Sequence, residues 1–215
     1  MTEGLHRATQ RRRVGPEGRQ AIVKAARKLF ANRGFLGVSI DDVAREANVS
    51  KGLVLYHFVS KDRLFAHIIG EVKEDLFRGL KLALEGQTNA MDKLMALIKG
   101  YLHLVESERK LWRIVLHEAY SLGGTARKLL VDCRQSNLGI ISGVLEEGMG
   151  RGELRSIDPQ LASLCLLGII SERVLTTSTS THEPDVEQLA ISVADIVLNG
   201  LGTQHRKAQP ALKTT

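Results

Sequence analysis

The sequence predicts an all-α fold of about nine helices, and three observations carry that reading. Aromatic residues make up only 4% of the 215 residues and there are only 4 prolines, so the aromatic, turn-bounded runs of a β-sandwich are missing. Apolar residues recur at three- and four-residue spacing from Ile22 onward. Serines suited to capping helices stand just before three of these runs, at Ser39, Ser50 and Ser60. With 43% hydrophobic and 25% charged residues, the chain has the composition of an ordinary globular protein with ample core. Cys133 and Cys165 are too few for a disulfide framework and fit a reducing, cytoplasmic setting.

Each element follows in order. Met1 to Gly15 carries Arg7, Arg11, Arg12 and Arg13 with almost nothing apolar, so it reads as a mobile basic arm rather than a signal peptide. Pro16 suits a helix start, Ile22, Ala26, Leu29 and Phe30 give a buried face, and Gly34 stops it. Ser39 caps a second helix, with Asp42 placed for a capping box and Ile40, Val43, Ala44 and Ala47 facing inward. Asn48 and Val49 make a turn, and Ser50 caps a short helix through Phe58. Ser60 opens a long helix from Lys61 towards Leu84. Further helices are expected near Ala90–Ser107, Glu108–Tyr120, Thr125–Gly148, Asp158–Thr177 and Pro184–Gly202, punctuated by glycines and by the Ser/Thr run 176–181. Leu161 to Ile170, the most apolar stretch, is about half the ~20 residues that a membrane span needs and is broken by Ser163 and Gly168. No membrane partner is expected.

The charge is divided unevenly. Its formal total of +6 resolves into +7 over residues 1–63 and −1 over the remainder. That asymmetry points to an anion-binding module, residues 1–63, joined to a near-neutral body, residues 64–215. Within the module, Ser39–Phe58 has the anatomy of a helix-turn-helix: two short capped helices about a tight turn, locked by Ile40, Val43, Ala44, Val49, Val54 and Phe58. Val54 and Phe58 face inward, which leaves Lys51, Gly52, Leu53, Leu55, Tyr56 and His57 on the outer side. A helix entering a major groove needs small residues for close approach and donors or cations for phosphates and base edges. Ser50, Lys51, Gly52, Tyr56 and His57 meet that description. Ser39 and Lys61, at helix starts, are placed to hold backbone phosphates, and Arg13 extends the basic surface.

Residues 19–66, RQAIVKAARKLFANRGFLGVSIDDVAREANVSKGLVLYHFVSKDRLFA, resemble the N-terminal domain of the tetracycline-repressor (TetR) family, most closely at VSKG and SKDRLF. GMGRGELR before Asp158-Pro159 resembles the later part of that family's variable domain in style alone. The resemblance implies an all-α homodimer that presents one recognition helix per subunit to a palindromic double-stranded DNA operator. It also implies a larger C-terminal domain that binds a small effector and dimerises through its last two long helices. One departure stands out. Many relatives carry a DNA-bonding tyrosine where this chain has Leu55, which offers only apolar contact such as a thymine methyl. Leu53 is likewise larger and less polar than the common residue, so the expected base contacts are more apolar, with Lys51, Tyr56, His57 and Lys61 on phosphates.

In the body, polar and aromatic residues mixed into apolar faces mark a candidate effector site: Tyr101, Trp112, His117, Tyr120, Cys133, Asn137 and Ser171. Packed core is the competing reading for each. Apolar lining with few charges suggests a hydrophobic or amphipathic effector. Leu161, Leu164, Leu167, Gly168 and Leu175 on one helix, with Leu189, Val193, Ile196 and Val197 on the next, suggest the dimer surface. His117-Glu118 lacks a second histidine at helical spacing, and Gly148, Gly150 and Gly152 follow no strand, so no metal, nucleotide or other cofactor is expected. With no catalytic grouping either, a ligand-responsive repressor is favoured over a helical enzyme or small-molecule carrier with an incidental basic N-terminus. A nucleoid-type DNA binder would not need so large a neutral body.

Overall fold

A computed structural model of the chain describes residues 15–118, 124–176 and 185–199, without the side chains of 117–118, 173–176 and 197–199. The described residues form nine helices and no strand: α1 (Pro16–Arg33), α2 (Ile40–Glu46), α3 (Lys51–Phe58), α4 (Lys61–Leu84), α5 (Ala90–Ser107), α6 (Arg109–Glu118), α7 (Gly124–Gly150), α8 (Pro159–Thr176) and α9 (Val186–Asn199). The expected helices lie within one or two residues of these bounds where the residues are described.

Local chemistry sets the boundaries. Pro16 occupies the first turn of α1, where a missing N–H costs nothing, and Gly34 ends it at φ 72, its N–H donating to the Phe30 carbonyl. Ser39 and Asp42 form the expected capping box: the Ser39 hydroxyl accepts from the Asp42 N–H at 3.1 Å, and the Ser39 N–H donates to Asp42 Oδ2 at 3.0 Å. Ser50 and Ser60 cap α3 and α4 through the hydroxyl alone, accepting from the Leu53 and Arg63 N–H groups at 3.2 Å each, and Asn89 caps α5.

Two apolar cores follow. The first gathers Ile22, Ala26 and Phe30 of α1, Val43 and Ala44 of α2, Val54 and Phe58 of α3 and the first half of α4, around the clustered rings of Phe30, Phe35 and Phe65, edge-on or tilted to one another. The second joins the end of α4 to α5, α7, α8 and α9. Helix α4 therefore runs unbroken through both, with Leu64 to Val72 in the first and Leu76 and Leu80 in the second. Helix α6 is shared as well: Leu111, Ile114 and Val115 pack into the first core, and Trp112 touches both.

Candidate functional site

The helix-turn-helix is built as a rigid unit. The turn between α2 and α3 closes through the Ala47 N–H on the Val43 carbonyl and the Val49 N–H on the Ala44 carbonyl, both at 2.9 Å. Asn48 takes φ 53 there, a left-handed conformation that asparagine tolerates better than most side chains. Val54 and Phe58 are buried four residues apart and fix which face of α3 looks outward. On that outer face Lys51, Gly52, Leu55 and Tyr56 are exposed, Tyr56 at 72%. Gly52 leaves room for close approach: a Cβ placed there would meet only Ser50 Oγ, at 3.9 Å. The Lys51 ammonium pairs with Asp41 Oδ2 across the turn at 2.8 Å, so binding a phosphate requires it to leave an exposed ion pair.

The other residues expected at a DNA surface have distinct settings. The Ser39 hydroxyl is engaged in its capping box and also donates to Asp42 Oδ2 at 2.6 Å, a bond that leads the effects holding the Asp42 carboxyl below its ordinary range. His57 is half-buried, its ring edge-on to Tyr56 with centroids 5.2 Å apart, and its Nε2 has no hydrogen-bond partner among the described residues. Leu53 does not stand on the outer side; it is half-buried against the first core, because its position on α3 turns it towards the packed helices. Lys61 is occupied internally, donating to the Phe35 and Val38 carbonyls at 2.9 Å each and lying 4.3 Å from the Phe35 ring centre. It ties down the loop between α1 and α2. Arg13 lies outside the described residues.

The body holds a cavity of about 200 Å³ between the helices. Leu76 of α4, Tyr101 and Val105 of α5, and Trp112, Val115 and Leu116 of α6 form part of its wall. Arg127, Leu130, Val131, Cys133, Arg134 and Asn137 of α7, with Leu167, Ile170 and Ser171 of α8, complete it. Tyr101, Trp112, Cys133, Asn137 and Ser171, scattered over four helices in the sequence, are thus brought to one cavity. Tyr120 lies outside the described residues, as does the side chain of His117. Burial, with a smaller contribution from Cys133, pushes the Tyr101 phenol well above its ordinary pKa, and burial likewise raises the Cys133 thiol. Both stay neutral near pH 7. Arg127 and Arg134 escaped the sequence reading, yet they are exposed residues of the lining and so stand at its opening. Their seven-residue spacing on the Cys133–Asn137 helix was the available signal.

The face expected for dimerisation is resolved more finely. Leu161, Leu164, Cys165 and Gly168 form an exposed stripe on α8, and Ile191 and Ile196 are exposed on α9. Leu167 and Val193 do not belong to it: both are buried within their own chain, because they lie on the opposite sides of their helices. The side chains of Leu175 and Val197 are not described. Among the described residues no helix is long and apolar enough to cross a membrane, and no group of three or more metal-ligating side chains converges.

Two family models match this architecture. One, described as bacterial regulatory proteins of the tetR family, covers residues 22–68; the other, described as a tetracyclin repressor-like C-terminal domain, covers residues 87–174. The chain belongs to the TetR family and is a DNA-binding transcriptional regulator. The fatty acid metabolism regulator protein of Bacillus subtilis (strain 168) is 23% identical over 181 residues, spanning 84% of this chain and 93% of that relative. The transcriptional regulator FadR from Bacillus subtilis, solved in complex with stearoyl-CoA, shares the fold with a TM-score of 0.76 at 22% identity, over 85% of this chain and 99% of its own. AibR, solved in complex with isovaleryl coenzyme A and operator DNA, shares it with a TM-score of 0.73 at 20% identity, over 84% and 97%.

Proposed function

We propose that the protein is a homodimeric repressor, released from a palindromic operator by an acyl-coenzyme A thioester whose acyl chain enters the cavity. The observation that carries this reading is the cavity itself: an apolar chamber whose opening carries Arg127 and Arg134. A thioester has an apolar tail for such a chamber and phosphates for such arginines, whose planar forks suit phosphate oxygens. The ligands named for FadR and AibR are of this class. An engineered cavity of ~150 Å³ holds benzene, so this volume suits an acyl group of roughly six to eight carbons.

The shared helix supplies a route for control. One side of α6 packs Leu111 and Ile114 into the core of the DNA-binding head, while Trp112, Val115 and Leu116 line the cavity. A ligand that pushes α6 outward favours a head position that no longer matches operator spacing, and the operator must weaken ligand binding by the same factor. On the head, Ser39, Ser50, Lys51, Gly52, Leu55, Tyr56 and His57 form the DNA face, with Leu53 and Lys61 supporting it from behind. The exposed stripes of α8 and α9 meet their two-fold mates as a four-helix interface.

Footprinting and gel-shift titration on the DNA upstream of the protein's own gene test this reading. A short palindromic footprint released by hexanoyl-CoA, and not by coenzyme A alone, is expected; diffuse protection or indifference to every acyl thioester would overturn it. Lys51→Ala should weaken binding and flatten the salt dependence by about one unit. Lys61→Ala should leave that slope unchanged and lower the melting temperature instead.

A further inference from the structure

Two side chains in the cavity are not explained by an apolar ligand. Tyr101 and Asn137 are only 3% and 7% exposed. Both line the cavity, and the Tyr101 hydroxyl and Asn137 Oδ1 have no hydrogen-bond partner among the described residues. Asn137 Nδ2 lies 3.8 Å from Cys133 Sγ, and Cys133 lines the same cavity as the two. The contrast with Ser171 is informative, since its hydroxyl donates to the Leu167 carbonyl at 2.8 Å and asks nothing of a ligand. Buried polar atoms are nearly always paired, so two orphans on residues lining one chamber mark a polar contact that something else completes.

We propose that the effector's apolar body carries a hydroxyl group seated between Tyr101 and Asn137, so that the cavity selects a hydroxylated short acyl group over plain hydrocarbon of the same length. The proposal rests on the acyl-thioester reading above and names the acyl class. The chemistry of the two orphans decides for a hydroxyl. Asn137 Oδ1 accepts and therefore needs a donor, which a thioester carbonyl or an ether cannot supply. The Tyr101 phenol, held neutral by burial, donates or accepts as required. A hydroxyl can accept from Tyr101 and donate to Asn137 together. A carboxylate or an amine would bring a charge into a wall that, apart from Arg127 and Arg134 at the opening, is mostly apolar, with Leu76, Val105, Trp112, Leu130 and Ile170 in it.

Trp112, the single tryptophan of the chain, lines the cavity and reports occupancy through its fluorescence. Binding of hexanoyl-CoA, 3-hydroxyhexanoyl-CoA and 6-hydroxyhexanoyl-CoA is measured by that signal and by calorimetry. One of the hydroxylated thioesters should bind about 10- to 100-fold more tightly than hexanoyl-CoA. Tyr101→Phe and Asn137→Leu should each cut that preference to within about threefold. Tyr101→Phe removes a single oxygen and keeps the ring, so it decides the matter if Asn137→Leu fails to fold. Equal affinity for all three thioesters overturns the hydroxyl contact and leaves the acyl-thioester reading standing. A preference that survives both substitutions overturns the contact at these two residues. Binding of none of the three overturns both readings together.

Discussion

Val59 follows the recognition helix at φ 61 and ψ −44, and the Ser60 N–H closes on the Phe58 carbonyl at 2.5 Å. A β-branched residue in that region is strained, and at 76% exposure Val59 has little packing to offset the strain. Val59→Gly should therefore raise stability by about 1 kcal/mol and the melting temperature by about 2–4 °C. A lower melting temperature would show that the valine side chain contributes more than its exposure suggests. His67 is the second informative residue. Its Nδ1 lies 3.3 Å from Arg19 Nη2, its Nε2 3.2 Å from Glu71 Oε1, and its ring packs on Phe58. Burial first and Arg19 second depress its pKa below the ordinary 6.5, while Glu71 and Glu74 oppose them. The unfolded chain then binds the proton more readily, so His67's contribution is full above about pH 6.5 and is lost as pH falls through the folded value. Melting curves of His67→Gln should decline less steeply than wild type from about pH 7 towards pH 5; parallel declines would remove the histidine from the account. Neither setting is legible in the sequence, since each depends on residues from other helices or on a backbone angle.

Among the elements, α7 shows how a sequence cue changes meaning. Its closing glycines read as helix-end punctuation, and Gly152 at φ 71 fits that role. Gly148 has a different task. A Cβ there would stand 2.4 Å from the Ala90 Cβ and 2.7 Å from Leu154 Cδ1, because the start of α5 crosses against it. The same crossing is held by Glu153, which accepts from the Ala90 N–H at 2.6 Å, and by Lys93, whose ammonium bonds both Glu147 oxygens. Gly148→Ala should cost about 1–3 kcal/mol, read as a lower denaturation midpoint. An unchanged midpoint would mean that the two helices separate freely. Capping by Ser39, Ser50 and Ser60, by contrast, was legible, because each acts on a backbone N–H group only three residues away.

For the whole molecule, two helices cross from one core to the other. Helix α4 is continuous through the boundary that the charge asymmetry placed after residue 63, so charge changes there but the backbone does not. Helix α6 stands between the head and the cavity. On the outside, Leu161, Leu164, Cys165 and Gly168 leave α8 with an apolar stripe at three- and four-residue spacing, and a Cβ at Gly168 would meet nothing within 4 Å. Leu164→Arg should convert the dimer to a monomer at micromolar concentration, seen by size exclusion with light scattering, and abolish tight operator binding without loss of helix content. A dimer that survives this change would move the interface elsewhere.

The sequence by itself determined the helices, their caps, the helix-turn-helix and the uneven charge, because periodicity and capping are local properties and charge is simply counted along the chain. It also marked Tyr101, Trp112, Cys133, Asn137 and Ser171 as residues out of keeping with a plain core. Only the tertiary structure brought those five to one cavity, placed Arg127 and Arg134 at its opening, turned Leu53 and Leu167 inward and engaged Lys61 with the loop behind the head. Which side of a helix faces solvent, and which buried polar atom lacks a partner, depends on how helices distant in the chain cross, and no local pattern encodes that.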